Sequence, residues 1–350
     1  YTMDKVVSKL ELREKRVSIP SKEMSKTLID IFKGVGCSEG ISSEVAAHLV
    51  DASLCGVESH GVMRTIQYIE QFKSGYIVCS SKPKLKEISG SIVEIDGDGG
   101  IGIPAMRLAF ERAINLAEDN GISATAIKNV GHTGRHGAYA DIAANKGFLT
   151  ILMGGGNREE WRQVAPHGGT EAKLPTNPWC IGIPGGFRGP VVLDFATSKI
   201  AGGWIYAAKS AGALLPIGCI IDKNGKPTRD PEDYFKGGAI LPFGEHKGFG
   251  LALIGELIGS AMLGPVKAEA NWFLICCKVS KYNGLGNINL ISEQILSELR
   301  NCPTTREVEK IEIPGERERQ HRKQSNGMIF LPKRTWEQIR TLKKNLSRVV

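Results

Sequence analysis

The stretch Ser91–Val130, SIVEIDGDGGIGIPAMRLAFERAINLAEDNGISATAIKNV, decides the fold class. SIVEID is a short β-prone run, and the glycines at 97, 99, 100 and 102 make a loop after it. From Pro104 to Asn120 apolar residues recur at helical spacing, with Pro104 near the first position and Gly121 past the last. ISATAIKNV then returns to a strand pattern. The same grammar continues downstream. A GHTGRHG loop at 131–137 leads into the short helix AYADIAANKG, the strand FLTILMGGG and the strand-like runs WCIGIP and PVVLDFA. A helix from about Thr197, a strand LPIGCIID with an NGKPT turn, and a long apolar helix from the GEHKG loop to Leu263 follow. The last part holds NWFLICCKV, a helix from about Ser292 to Arg300, and a basic helix from about Lys333. Upstream, residues 21–73 read as three helices, capped by Ser21, by Ser42 or Ser43, and by Ser59. We expect an α/β protein with a mixed sheet, and helical N- and C-terminal segments packed beside it. The divisions fall at 1–90, 91–265 and 266–350.

Composition narrows the class. Among 350 residues, 41% are hydrophobic and 23% charged, near soluble globular averages, while the 42 glycines concentrate in tight loops where ligand sites collect. The first residues are charged, with no apolar segment typical of a leader. The longest apolar stretch, starting at Gly248, contains Glu256 and is too short to cross a bilayer. Eight scattered cysteines with no C-x-x-C suggest neither a disulfide framework nor a zinc site, so a cytoplasmic protein without metal is expected. Of the net charge of +8, residues 301–350 carry 12 Lys+Arg against 6 Glu, hence +6. These charges are mixed in sign and lack interleaved aromatics, so we expect a solvated helical face and no nucleic-acid partner.

GDGGIG matches the dinucleotide-binding G-x-G-x-x-G. The following strand, however, ends on Lys128 and Asn129 where a Rossmann unit needs an acid for the ribose, which argues against that geometry. SHGVMR is more telling. A helix starting at Ser59 would put His60, Arg64 and Tyr68 on one face, joining a proton carrier to a carboxylate clamp, and a helix N-terminus would keep His60 neutral. In GHTGRHG, His132 and Arg135 suit an anion at a strand end, whereas His136, like His167 in PHGG, suits a local loop hydrogen bond. Asp194 at a strand end suits a ribose or amide, and Lys247 a phosphate. Glu256 reads as a structural carboxylate.

SHGVMR, IDGDGGIGIPA, GHTGRHGAYA, LPTNP, VVLDFATSKIAGG, IDKNGKPTRDP, LPFGEHKGFGLALIGE and IPGERE, in that order over about Ser21–Arg319, resemble the malate/L-lactate dehydrogenase family of the non-Rossmann type. Its relatives include sulfolactate, ureidoglycolate and diketogulonate dehydrogenases and piperideine/pyrroline-2-carboxylate reductases. The resemblance implies extended binding of NAD or NADP, a homodimer with the site at the subunit interface, no metal and a small carboxylate substrate. It places the catalytic histidine on His60, the carboxylate partner on Arg64, and a second histidine, competing for the proton role, on His132. Cofactor contacts fall on Ser59, His132, Gly134, Thr176 and Asn177, on the run Asp194, Phe195, Ala196, Thr197 and Ser198, on His246 and Lys247, and on Gly315, Glu316 and Arg317. Two departures stand out: Pro175 replaces the family's glycine before Thr176, and residues 266–305 fit no pattern. The implied activity is reversible reduction of a small 2-oxo acid to a malate-, lactate- or sulfolactate-like product by hydride transfer. Reduction of a cyclic 2-imino acid with NADPH is the alternative, and a non-redox histidine-dependent lyase or hydrolase a more distant one.

Overall fold

The computed structural model describes residues 15–346, so most of the charged N-terminal stretch read above lies outside the described residues. In chain order the elements begin β1 (Arg16–Pro20), α1 (Ser21–Gly34), α2 (Glu39–Leu54), α3 (Arg64–Ser74), β2 (Lys84–Ser89), β3 (Ile92–Asp96), α4 (Gly102–Asn120), β4 (Ile122–Val130), α5 (His136–Asn145) and β5 (Phe148–Gly155). They continue β6 (Trp179–Ile183), β7 (Val191–Phe195), α6 (Gly202–Ala211), β8 (Ile220–Ile221), β9 (Pro227–Thr228), α7 (Pro231–Phe235), β10 (Ala239–Ile240) and α8 (His246–Glu256). After α8 come β11 (Ala270–Lys278), α9 (Leu285–Arg300), α10 (Glu316–Gln324), β12 (Met328–Pro332) and α11 (Lys333–Leu346).

Seven strands form the main sheet in the order β2-β3-β4-β11-β5-β6-β7. Only β3 and β4 run parallel, joined through α4; the other ladders are antiparallel. The quoted stretch is therefore a genuine strand–helix–strand crossover, but one that is not repeated, which separates this mixed sheet from a doubly wound dinucleotide fold. Met106, Ala109, Phe110, Ala113 and Ala117 of α4 recur at three- and four-residue steps and pack onto the sheet. Each large side chain buried this way contributes about 1.5–3 kcal/mol. Gly121 ends the helix in the left-handed region at φ 84°, its N–H donating to Ala117 O.

The helices α1 to α3 make a second core around Met24, Leu28, Phe32, Leu49 and Tyr68. It is closed by α11 and by the β1–β12 ladder, which pairs Arg16 with Pro332. Three helix starts differ from expectation. Ser21 is already helical and its N–H bonds Gly327 O, so Pro20 takes the cap position. Ser38, not Ser42 or Ser43, caps α2 by accepting from Ile41 N–H; Ser42 is buried and donates to Ser38 O. Ser59 caps nothing. It sits in a 3-10 turn over Glu58–His60, Gly61 is extended, and α3 begins at Arg64. The cause is a close approach: a Cβ on Gly61 would lie 2.2 Å from Ser53 Oγ, which accepts Val62 N–H at 3.0 Å. His60 therefore does not share a helical face with Arg64 and Tyr68.

Four further elements differ from expectation. The helix expected from Thr197 starts at Gly202, because Thr197 is pinned to the Thr176 carbonyl through both its N–H and its hydroxyl. The apolar helix from GEHKG turns π-helical over Leu257–Met262, and α9 starts well before Ser292. LPIGCIID contributes only Ile220–Ile221, in a small sheet of order β10-β8-β9. Among the described residues, no helix is long and apolar enough to cross a membrane.

Candidate active site

The glycine loop between β3 and α4 spends its backbone on protein. Gly97 N–H donates to Lys128 O, Gly99 N–H to Asn129 O and Gly102 N–H to His132 O, while Gly131 N–H returns to Gly100 O. A Cβ on Gly102 would stand 2.3 Å from Gly131 O. The loop is thus a clasp that holds the residues after β4, and Lys128 is occupied by Glu94 at 2.6 Å.

The clasp presents His132 to α3. Tyr68 OH lies 2.6 Å from His132 Nδ1, and Gly134 N–H donates to the same nitrogen at 3.3 Å. A nitrogen that receives a backbone N–H is an acceptor, so Tyr68 donates as well and the imidazole proton resides on Nε2. His60, whose Nδ1 is 2.9 Å from Ser59 Oγ, sets its ring 5.2 Å from that of His132. Arg64, one turn before Tyr68, donates from Nε to Ser59 O at 2.6 Å and from Nη1 to Gln67. Its Nη2 points at Gly203, at the start of α6. Burial, and then Arg64, hold His60 and His132 well below the usual imidazole range, so both are neutral at pH 7. Burial, and not the helix terminus expected above, is the main cause. The Tyr68 phenol is pushed up by burial, with Arg64 acting in the opposite direction. A neutral N–H donor, a phenol and one guanidinium in a water-poor space can bind a carboxylate and protonate an oxygen beside it.

His136 and Glu256 are structural, as expected. His136 Nε2 lies 2.7 Å from Thr133 Oγ1 and its ring meets Trp272 edge-on. Glu256 is buried and accepts from Gly156 N–H, Asn177 Nδ2 and Ser260 Oγ. Asn177, at φ 30°, also donates to Ala252 O; Thr197 donates to Thr176 O and Asn177 O, and Ser198 to Ile200 O. These side chains, with Phe195 stacked edge-on to Phe243, lock the loop after β7 and the 176–177 loop onto α8. His246 and Lys247 are exposed at the start of α8, beside His167.

Asp194 meets Arg135, Gly315 and Arg317 around a cavity of about 330 Å³, which Arg319 and Arg322 also line. Asp194 Oδ2 accepts Gly137 N–H at 2.6 Å, at the start of α5. Arg135 and Arg322 share Asp51, at 3.1 and 2.5 Å. Arg319 pairs with Asp141, and Glu316 with Arg300. The Nε of Arg135 is buried and has no partner. Asp141, Asp194, Glu312 and Glu318 line the same cavity and balance its four arginines, so the orphaned Arg135 Nε is the donor left for an anionic group, and in that respect the residues fit the phosphate of a nicotinamide cofactor.

The malate/L-lactate dehydrogenase family model matches residues 19–340. The chain belongs to that family. L-sulfolactate dehydrogenase of Methanocaldococcus jannaschii is 35% identical over 331 residues, 91% of this chain and 94% of that protein. The Δ1-pyrroline-2-carboxylate/Δ1-piperideine-2-carboxylate reductase of Pseudomonas putida is 33% identical over 248 residues, 71% and 72% of the two chains. The solved sulfolactate dehydrogenase of M. jannaschii superposes with a TM-score of 0.84 at 31% identity, over 95% of this chain and 98% of that one. As a member of the malate/L-lactate dehydrogenase family the protein is an oxidoreductase of small hydroxy acids that works with a nicotinamide cofactor.

Two groups of the cluster lay outside the set of candidate residues. Tyr68 was legible by its spacing from Arg64, but its pairing with His132 joins residues far apart in sequence. Glu269, buried at Oε2 against the same cluster, comes from the stretch 266–305 that carries no recognisable pattern.

Proposed function

We propose that the protein reduces a small 2-oxo acid reversibly, with the substrate carboxylate on Arg64 and the oxo oxygen on His132. The observation that carries this reading is the Tyr68–His132 hydrogen bond of 2.6 Å beside the Arg64 guanidinium. Arg64 is held by two of its nitrogens, which leaves Nη2 for the substrate. A nicotinamide cofactor held there would supply or accept the hydride at the carbon next to the carboxylate. As the oxo oxygen takes the Nε2 proton, Nδ1 takes that of Tyr68. The imidazole stays neutral, and the developing charge falls on the Tyr68 oxygen, where Arg64 offsets part of the cost of burial until the proton is regained as product leaves. His60 stands beside His132 as the other candidate donor. The cavity between Asp194 and Arg317 would hold the cofactor's phosphates through Arg135 and Arg317.

The relative in P. putida supports a cyclic 2-imino acid as the second reading. We take the working unit to be a homodimer. The reading is supported by an apolar face left open on α8 and the π-helical turn, where Leu253, Ile254, Leu257 and Met262 are 40–56% exposed. A cytoplasmic setting is supported by the eight cysteines, all free. The test is cofactor oxidation, with NADH and NADPH separately, against pyruvate, oxaloacetate, sulfopyruvate and piperideine-2-carboxylate. The 2-oxo reading predicts oxidation with an oxo acid and loss of turnover in His132→Gln; oxidation with the imino acid alone overturns it.

A further inference from the structure

Glu269 lies outside both the sequence motifs and the proton path. It immediately precedes β11, and its N–H donates to Val130 O at 3.1 Å. Because Ala270 pairs with Val130, the antiparallel ladder brings Glu269 to the strand end that leads into His132. Its Oε2 is sealed from solvent and has no hydrogen-bond partner. The charged and titratable groups facing it are Arg64 and Tyr68 on α3 and Tyr76 just beyond that helix. Among the described residues, Arg64 is the cation whose charge acts on it.

We propose that Glu269 is a charge filter: it shares Arg64 with a single substrate carboxylate and turns away substrates that carry a second anionic group. The enzyme then works on 2-oxo monoacids in preference to diacids or sulfonated acids. This rests on Arg64 being the carboxylate anchor proposed above. Charge balance makes the case. His60 and His132 are held neutral by burial, so Arg64 faces one internal carboxyl and one substrate carboxylate. A third anion in the same half-buried space has no partner, and like charges at close range repel. Burial pushes the Glu269 carboxyl up to about 7, with Arg64 opposing, so the filter is closed above neutrality and opens in acid. In its neutral form the unpartnered carboxyl can donate to the second group of a diacid. Tyr68 and Tyr76, both pushed up, stay uncharged over this range.

The test compares wild type, Glu269→Gln and Arg64→Gln at pH 6 and pH 8, using the full chain with reduced cofactor. It reads kcat/KM for pyruvate and oxaloacetate and, independently of turnover, binding of oxamate and tartronate by tryptophan fluorescence. In Glu269→Gln the dianion-to-monoanion preference at pH 8 should rise at least about tenfold, which corresponds to one unit of pK difference or about 1.4 kcal/mol. In wild type the same preference should rise as pH falls from 8 to 6, which needs no variant and survives a folding defect in one. Loss of oxamate binding in Arg64→Gln supports the anchor. If oxamate binding is untouched there, the anchor reading fails. If Arg64→Gln loses binding while neither Glu269→Gln nor pH moves the preference, the filter alone is overturned.

Discussion

Removing only the Tyr68 hydroxyl, as Tyr68→Phe, isolates the proton path. Tyr68 is fully buried and its ring packs 6.4 Å from that of Phe32, so phenylalanine keeps the packing and leaves no cavity. His132 Nδ1 keeps the Gly134 N–H, and the loss to stability is that of one net hydrogen bond, about 1 kcal/mol. Catalysis should suffer more. Without a donor at Nδ1, release of the Nε2 proton leaves an imidazolate. Proton transfer by a positioned group typically supplies 10²–10⁴-fold, so kcat should fall about 100-fold, or about 2.7 kcal/mol. KM should change by less than about threefold, because the carboxylate is held by Arg64. The assay is steady-state cofactor oxidation at saturating oxo acid, with the thermal midpoint measured alongside. A kcat within about threefold of wild type in a folded variant would refute the relay and shift the proton role to His60.

Three other outcomes follow from the same geometry. Arg64→Gln should raise KM for a 2-oxo acid about 100-fold by removing the charge-assisted partner of the carboxylate, with a smaller change in kcat; equal loss of affinity for a neutral carbonyl analogue would contradict the anchor. Asp51→Asn should lower unfolding free energy by about 2–4 kcal/mol, since Arg135 then lies buried without its principal carboxylate; an unchanged denaturant midpoint would count against it. Stability should fall as pH drops below about 6.5, the unfolded histidine value. His48, His60, His132 and His136 are all held below the usual imidazole range by burial, His48 down to about 3, so the native state takes up fewer protons than the unfolded chain over that interval. Denaturation curves from pH 7 to pH 4 should give a slope above that of one proton, about 1.4 kcal/mol per unit; a flat profile would rule this out.

The α/β class, the crossover around GDGGIG and most helices and strands were legible because periodicity and glycine punctuation are local. The argument against a Rossmann loop was legible too, from Lys128 and Asn129 at the end of β4. What the sequence hid depends on distant partners. The start of α3 is set by the approach of Gly61 to Ser53, which no periodicity within SHGVMR records. β2 is wholly exposed, and its two apolar residues, Leu85 and Ile88, stand three apart, so it carries no alternation to read. Within the cluster, His60, Arg64 and His132 were named by motif and do converge, though not through a shared helical face. Asn177, Thr197 and Ser198 point to protein atoms, a distinction composition cannot make. Glu269 reaches the cluster only because β11 runs back along β4.

That central strand also has a consequence during synthesis. β11 fills the gap between β4 and β5, so a growing chain that has not reached residue 270 exposes one open edge on each of them. Val130 and Ala270 are paired partners separated by 140 positions. At about 5–20 residues per second, translation leaves the β4 edge bare for roughly 7–28 s and the β5 edge for somewhat less, long enough to recruit neighbouring polypeptides. Interrupted translation within this interval yields a fragment with two adhesive edges and no Glu269 in place. Chaperone demand should therefore peak before the last quarter of the chain leaves the ribosome.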